Sequence, residues 1–405
     1  MKYAIWFVRF WYVAWMVPAG IEHFYHIYPQ PGANSPFPLA AQMLSALLAS
    51  HLFDVVKAVE LLLGLAVLFG FFTPVALLAC MPVAFCVFWW DAPLSQWNTP
   101  SLIAGTRVLA SNLLLCVAYI ASLRAMFTWR ASLPEAAKWV PAARVVFGAW
   151  MLANGINHFF LNLWATPGGA TALSAQLMTA LVDSSLLDVC MGIELVGGAL
   201  VLAGIWVPAA LCTLMAVSTS ALFWAVLDHQ PQTLVLGLAA FALNGLLMLA
   251  YLPYYRGVLQ RAPLTLGETD PQTSWNALFV QPGGRTGRST FALALIPLAL
   301  ATLWYVAKGP KVDYAPWGVL VLLYPAVVLH VRRLHDLGHS GWLALVPGAL
   351  SVLAMLQWAK WISFGAALDA VVPTAALVSF IALAAWGCLG RGRAEANAFG
   401  PPVAA

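Results

Sequence analysis

The stretch R-F-W-Y-V-A-W-M-V-P-A-G-I-E-H-F, from Arg9 to Phe24, recurs without a gap as R-V-V-F-G-A-W-M-L-A-N-G-I-N-H-F, from Arg144 to Phe159. After one deletion the two copies match again at an offset of 134 residues, which aligns Gln42 with Gln176, Asp54 with Asp188, Glu60 with Glu194, Gly70 with Gly204 and Pro74 with Pro208. Similarity within one chain at a fixed offset indicates a duplicated structural unit. The sequence therefore contains two copies of one fold.

The composition is that of a membrane protein. Of the 405 residues, 62% are hydrophobic and 8% are charged, whereas about 25% are charged in soluble domains. A helix that crosses a bilayer needs about 20 mostly apolar residues. We predict an all-α fold, a polytopic membrane helical bundle of about 12 transmembrane helices, at residues 4–24, 53–70, 73–90, 101–120, 144–162, 185–204, 206–226, 232–252, 289–307, 315–331, 342–359 and 368–389.

The distribution of basic residues predicts the orientation, because cytoplasmic loops of membrane proteins are enriched in Lys and Arg. Arginines follow the fourth, eighth, tenth and twelfth spans, while the segments 23–52, 91–100, 163–184 and 227–231 contain no Lys or Arg. Lys308 and Lys311 are exceptions. We expect a multi-pass protein of a bacterial inner membrane, with both its N-terminus and its C-terminus in the cytoplasm. The lipid bilayer is its expected partner, and nucleic acid is not, because the basic residues form no single patch.

Each copy of the repeat holds four predicted spans. Since four is even, both copies enter the membrane from the same side and are related by an axis along the membrane normal. We predict the first repeat at residues 1–130 and the second at 140–255. Residues 256–288 contain prolines and the Gly283–Gly284 pair among polar residues, which predicts a cytoplasmic linker. A third module of four helices is predicted at 289–405.

The second span of each repeat carries a shared motif. It reads V-E-L-L-L-G-L-A-V-L-F-G-F-F-T-P from Val59 to Pro74, and I-E-L-V-G-G-A-L-V-L-A-G-I-W-V-P from Ile193 to Pro208. This pattern resembles the DoxX family of small four-span proteins, although Val207 stands where the first copy has Thr73. The resemblance implies a bacterial inner-membrane protein, and some family members resemble subunits of quinone-reducing complexes. A shared fold does not by itself give a function.

The last module carries three further motifs. They are G-R-T-G-R-S-T-F from Gly284 to Phe291, R-R-L-H-D-L-G-H-S-G-W from Arg332 to Trp342, and N-A-F-G-P-P from Asn397 to Pro402. In this order they resemble a family of small bacterial inner-membrane proteins known as domain of unknown function 805. The chain lacks the acidic residue that the family usually has between its two closing prolines. The resemblance implies no chemistry.

Glu60 and Glu194 are the first candidate site residues. Each is placed within an apolar helix, where a charge costs from about 2.5 kcal/mol upward unless it is paired, hydrated or protonated. Two interpretations stay open: a hydrogen bond that pins two helices together, or ligand binding and proton handling. Lys57 lies three residues before Glu60 on the same helix face, so an ion pair is expected there. Met191 occupies the matching position in the second copy.

His23 and His158 end the first span of each repeat, and we expect each to lie at the depth of the glutamate in the next span. Such a pair could transfer protons, orient a quinone head group or contribute to a metal site. A metal needs three or four converging ligands, and the second copy has no counterpart of His26 or His51, so no metal is predicted. The alternative is a pair of interfacial histidines bonded to loop carbonyls.

Two further groups complete the candidates. Gln42 and Gln176 lie on short apolar segments, Leu39 to Leu48 and Leu173 to Leu181, which are too short to span and are expected to cap a cavity. The third module offers either a structural cap or a site for an anionic head group at the cytoplasmic end of its second span. Its residues are Arg285, Arg288, Arg332, Arg333, His335, Asp336 and Asn397.

Three functions remain open from the sequence. The first is a redox-associated membrane subunit that binds a quinone, the one cofactor suggested, and works with a membrane or periplasmic redox partner. The second is a transporter, or a protein that binds lipid or another small molecule, with a path lined by Glu60 and Glu194. The third is a membrane scaffold without catalysis. No residue is assigned a catalytic role, and whether the protein is an enzyme stays undecided.

Overall fold

The computed structural model describes residues 1–29, 35–132, 138–308 and 313–401. Lys311 and Pro402, named above, lie outside these ranges. The described residues form helices and turns without a β-strand, which confirms the all-α membrane fold. The helices of the first repeat are α1 (Lys2–Tyr25), α2 (Pro38–Ala49), α3 (Leu52–Phe69), α4 (Thr73–Trp89), α5 (Thr99–Ala118) and α6 (Ile120–Leu123). Those of the second are α7 (Val140–Ile156), α8 (Ala172–Asp183), α9 (Leu186–Ala203), α10 (Val207–Asp228), α11 (Pro231–Ala250) and α12 (Leu252–Tyr255). The third module has α13 (Arg288–Lys308), α14 (Ala315–Leu337), α15 (Leu345–Trp358) and α16 (Ala366–Leu389).

Ten helices of the described ranges are long and apolar enough to cross a membrane, against about 12 predicted spans. The other two predicted spans correspond to α3 and α7. Helix α3 has 18 residues but carries three charged residues, Asp54, Lys57 and Glu60. Helix α7 runs for 17 residues and continues through a π-turn at Asn157–Leu161, and this stretch contains the polar residues Arg144, Asn154, Asn157 and His158, which lower its hydropathy. Both departures therefore arise where the candidate site residues lie.

Close helix pairs hold each repeat together. A Cβ placed on Gly20 of α1 would meet Leu61 backbone nitrogen at 2.7 Å, and one placed on Gly155 of α7 would meet Leu195 backbone nitrogen at 2.7 Å. The glycines thus allow α1 to touch α3 and α7 to touch α9. Small residues of this kind let membrane helices approach closely and gain van der Waals contact.

The turn between the second and third spans is built alike in both repeats. Gly70 and Phe72 have φ of 68° and 47°, and Gly204 and Trp206 have φ of 75° and 47°. Phe72 donates its backbone N–H to Arg261 O at 2.9 Å. Trp206 donates its N–H to Trp129 O at 3.3 Å. The chain after the last span of each repeat therefore satisfies the turn of the other repeat and ties the two copies together.

Helices α2 and α8 pack against each other at one end of the bundle, called the α2/α8 end below. Each has 12 residues, too few to span, and their apolar contact is made by Ala40, Met43, Ala46, Leu177 and Ala180. Trp89 adds a hydrogen bond from its Nε1 to Ser184 O at 2.9 Å. This end of the bundle is therefore an interface between the two repeats.

The third module packs on the first repeat. Helix α1 contacts α13 and α14, and Tyr305 donates its hydroxyl to Trp11 O at 2.8 Å. The segment 256–288, predicted as a linker, adds Trp275 and Phe279, both about 1% exposed, to the same hydrophobic core. A buried core therefore runs through the first repeat, this segment and the third module.

Candidate functional site

The centre of the site is an ion pair within α3. Lys57 Nζ lies 2.7 Å from Glu60 Oε2, and the two side chains are 12% and 1% exposed. Glu60 stands eight residues after Leu52, which places it about 12 Å along the helix. The three-residue spacing puts both groups on one face, as expected from the sequence. A carboxylate and an ammonium group are thus held together inside an apolar helix pair.

Glu22, which sequence reasoning did not single out, adds a third charged group. It is 1% exposed in α1, and its Oε2 has no hydrogen-bond partner among the described residues. Its Oε1 lies 3.9 Å from His26 Nδ1, and Lys57 is a further charged neighbour. A glutamate in the last turns of an apolar span was the available signal. Glu22, Lys57 and Glu60 are called the acid–lysine cluster below.

His23 meets Asp54, and not Glu60. Its Nε2 lies 2.6 Å from Asp54 Oδ1, and the same carboxylate accepts from His51 Nδ1 at 2.9 Å. His23 is 13% exposed and Asp54 is 43% exposed, so this triad connects a largely buried ring of α1 to the surface at the α2/α8 end. The sequence alignment of the two repeats matches Asp54 with Asp188. It does not show that Asp54 is the partner of His23, because that contact depends on the packing of α1 on α3.

The second repeat has the same frame with fewer charges. His158 Nε2 lies 2.8 Å from Asp188 Oδ1, which repeats the first pair. Asn157 replaces Glu22 and binds the loop, accepting from Leu163 N at 2.7 Å. Glu194 is 5% exposed and its Oε2 has no partner among the described residues. Its polar neighbours are Asn154 and His158.

Gln42 and Gln176 lie in the contact between α2 and α8. Gln42 donates from Nε2 to Asp183 Oδ2 at 2.8 Å, and Gln176 donates from Nε2 to Ser45 Oγ at 3.0 Å. Each glutamine therefore reaches across to the other repeat. Both amides therefore join helices of the two repeats.

No group of three or more His, Cys, Asp or Glu side chains that could hold a metal ion occurs in residues 1–29, 35–132, 138–308 and 313–401. The triad of His23, Asp54 and His51 brings two imidazoles to one carboxylate, and each imidazole contacts a different oxygen. This arrangement fixes the orientation of both rings.

The charged residues of the third module converge on Asp336 at the end of α14. Arg285 Nη2 lies 3.0 Å from Asp336 Oδ1, and Arg333 Nη1 donates to Asp336 Oδ2. The remaining donors go to backbone carbonyls, including those of Gly387 at 2.7 Å from Arg333 Nε and Glu395 at 2.8 Å from Arg285 Nη1. The two guanidinium groups thus hold the chain after α16 against α14.

Arg332 binds the segment before α13 in the same way. Its Nε donates to Thr286 Oγ1 at 3.1 Å, and its Nη2 donates to Arg285 O at 3.2 Å. Asn397 Nδ2 donates to His335 O at 2.9 Å, and the imidazole of His335 stacks on Phe399 with 3.8 Å between ring centres. Arg285, Arg332, Arg333 and Asp336 are called the arginine cap below. The side chain of Arg288 is exposed and makes no hydrogen bond to another described residue.

The comparisons with known proteins bear on the third module. Residues 279–401 match the model of a family described as Protein of unknown function (DUF805), which confirms the resemblance for this part of the chain. The match begins inside the segment predicted as a linker. No curated protein and no solved structure matches the chain. The likeness of the two repeats to the DoxX family stays a prediction.

Proposed function

We propose that this multi-pass membrane protein handles protons at the acid–lysine cluster of its first repeat. The observation that carries the proposal is Glu22, a carboxylate that is 1% exposed and has one oxygen unpartnered among the described residues. The contact of Gly20 with Leu61 packs this end of α1 on α3, where Lys57 is a charged neighbour of Glu22 and lies 2.7 Å from Glu60. In the proposed orientation the protein lies in a bacterial inner membrane, both termini are cytoplasmic, and the α2/α8 end faces outward.

The energetic cost of the cluster supports a functional role. A charged side chain at the centre of a membrane helix costs from about 2.5 kcal/mol upward, and an ion pair offsets this only in part. The second repeat builds the same helix pair with Asn157 and Met191 in place of Glu22 and Lys57. Since the fold forms without these two charges, their presence in the first repeat needs another reason.

The triad of His23, Asp54 and His51 supports a route to the surface. Histidine changes its charge near neutral pH, so an imidazole can take up a proton from water and release it again. His51 is 82% exposed and His23 is 13% exposed. A proton accepted at the exposed ring can therefore pass by way of the buried ring toward Glu22, the next residue inward along α1.

The redox form of this proposal names a quinone as the ligand. Reduction of a quinone to a quinol consumes two electrons and two protons per molecule. The cluster would supply the protons, and a membrane or periplasmic redox partner would supply the electrons. The DoxX resemblance supports this form. The alternative is proton-coupled transport, or binding of a lipid or other small molecule, through the same cluster. In both forms Gln42 and Gln176 hold the two repeats together at the outer end.

A scaffold without catalysis is the second candidate, because the third module shares a core with the first repeat. In that case the arginine cap is structural only. We propose the structural role for the cap in either case, since its guanidinium donors already bind Asp336 and backbone carbonyls. Of the four arginines predicted for this site, Arg285, Arg288, Arg332 and Arg333, Arg288 is the one whose side chain is exposed to an anionic head group.

Infrared titration of the purified protein tests proton handling. The protein is compared with Glu22→Gln, and the C=O stretching band of protonated carboxyl groups is followed as the bulk pH is varied. We expect the native protein to show a titrating buried carboxyl band that the variant lacks. Glu194→Gln is the matched control and should keep that band. A spectrum in which Glu22→Gln removes no titrating band would contradict the proposal.

Mass spectrometry of small molecules extracted from protein in mild detergent separates the two forms. A quinone near stoichiometry in the native protein, reduced in amount in a Glu22→Gln, Glu60→Gln variant, supports the redox form. Bulk phospholipid alone in both samples rejects the redox form, while the infrared result then decides whether proton handling stands.

A further inference from the structure

A second polar feature of the first repeat is a cleft of about 70 Å³. Helices α1, α4 and α5 form one wall, with Trp11 and Trp15 from α1. Trp304 of α13 and Tyr314 close the cleft from the third module. Asp91 and Arg107 both line it. The cleft therefore combines one acid and one base with an aromatic lining at the contact between two parts of the fold.

The two charged side chains of the cleft are not paired with each other. Among the described residues, neither Asp91 nor Arg107 forms an ion pair or a side-chain hydrogen bond. The Cζ of Arg107 lies 5.8 Å from the ring centre of Trp304. A charge in a spanning helix is costly unless it is paired or hydrated. Both groups face the same small space, which leaves room for a ligand that bridges them.

The depth of the pair fits the head-group layer of a bilayer. Asp91 lies in the π-turn Trp90–Leu94, which ends the spanning segment that begins at Thr73. Arg107 stands eight residues after Thr99, about 12 Å along α5. Long basic side chains at such positions reach back toward the interface. Tryptophans also prefer this layer, and three of them line the cleft.

The second repeat lacks both charges. Trp90 aligns with Trp224, which places Ala225 opposite Asp91. The fourth spans align through Asn112 with Asn244 and Tyr119 with Tyr251, all four buried, which places Ala239 opposite Arg107. The acid and the base are thus found where the third module covers the repeat, and alanine is found at both positions in the other copy.

We propose that this cleft binds one phospholipid whose head group carries both a phosphate and a primary ammonium group. The phosphate lies against the Arg107 guanidinium, which matches it in charge and in hydrogen-bond geometry. The ammonium group donates to the Asp91 carboxylate. A purely anionic head group would place its negative charge beside Asp91, and a quaternary ammonium group has no N–H to donate. The acyl chains follow the apolar surface of α5 and α13 into the bilayer.

Lipid exchange into the delipidated native protein is the first test. Phospholipids with identical acyl chains and ethanolamine, N-methyl, N,N-dimethyl, choline or glycerol head groups are added one at a time, and the melting temperature is measured in detergent. We expect the stabilisation to fall along the N-methylation series and to be weak for the glycerol head group. Equal stabilisation by all five, or the strongest effect from the anionic glycerol lipid, overturns the proposal.

Native mass spectrometry of variants locates the site. Arg107→Gln should reduce retention of the ethanolamine lipid about fivefold, the usual effect of losing one cationic contact. Asp91→Asn should abolish the preference for ethanolamine over choline while keeping phosphate binding. Arg130→Gln removes an exposed arginine elsewhere and should change neither. Unchanged retention in Arg107→Gln, or a soluble molecule in place of lipid, contradicts the assignment. The methylation series on the native protein stays decisive if a variant fails to fold.

Discussion

The indole Nε1 of Trp6 donates a 2.9 Å hydrogen bond to Oε1 of Glu268, a residue that lies 262 positions further along the chain. The same oxygen accepts from Trp275 N at 2.8 Å, and Oε2 accepts from Thr265 N at 2.9 Å. One buried carboxylate therefore fastens the start of the first repeat to the segment that precedes the third module.

Replacing Glu268 with alanine should destabilise the protein. Three donors lose their acceptor, and the buried Arg9, which stacks 4.1 Å from the Trp275 ring centre, loses a nearby negative charge. We expect a loss of about 3 kcal/mol in the free energy of unfolding, as for other buried charges left unpaired. Thermal unfolding in detergent measures it. Glu395→Ala, at an exposed position, is the control, and equal melting of the two variants would count against the role of Glu268.

Replacing Asp336 with alanine should loosen the third module. Arg285 and Arg333 would keep their carbonyl contacts but lose their common counter-charge, which should cost about 3–5 kcal/mol. Limited proteolysis after α16 should become faster. Arg288→Gln should change stability by less than about 0.5 kcal/mol, because surface substitutions seldom matter more. A larger loss of stability in Arg288→Gln than in Asp336→Ala would contradict the assignment of residues to the arginine cap.

Gly20→Ala should destabilise the first repeat, because the added methyl group would lie 2.7 Å from Leu61 N. Overpacking of this kind costs about 1–3 kcal/mol. Gly192→Ala is a matched control in the second repeat, since nothing lies within 4 Å of its added Cβ. Alanine favours a helix by up to about 1 kcal/mol over glycine, so the control should be neutral or slightly stabilising. Chemical unfolding of both variants gives the comparison, and equal effects would reject the close packing of α1 on α3.

Lys57→Met gives the first repeat the residue type that the second repeat has at the matching position, Met191. The glutamate then loses its 2.7 Å partner, and we expect a clear loss of stability. The double variant Lys57→Met, Glu60→Gln should recover most of it, because both members of the pair are neutral. A double-mutant cycle should give a coupling energy of about 1–3 kcal/mol. Additive effects of the two single changes would show that the pair contributes no coupling.

Several features of the site could be read from neighbouring residues in the sequence. The spacing of Lys57 and Glu60 places them on one helix face, and the structure shows the pair. Glu22 was missed because a lone glutamate near a span end looks like an interfacial residue until the packing of α1 on α3 buries it. Asp91 and Arg107 were missed for a related reason. Each is an isolated charge in its segment, and the cleft that they share is completed by Trp304 and Tyr314 of the third module.

The sequence by itself determined the helices, the duplication and the membrane as solvent. This follows from physics of short range: in lipid every backbone donor must be satisfied within its own segment, so an apolar run of sufficient length becomes a helix. Only the tertiary structure decided which polar groups meet. The partner of His23 is Asp54, that of Trp6 is Glu268, and the third module packs on the first repeat. These contacts depend on how the faces of helices distant in sequence pack against each other, and a local pattern of residues does not predict that packing.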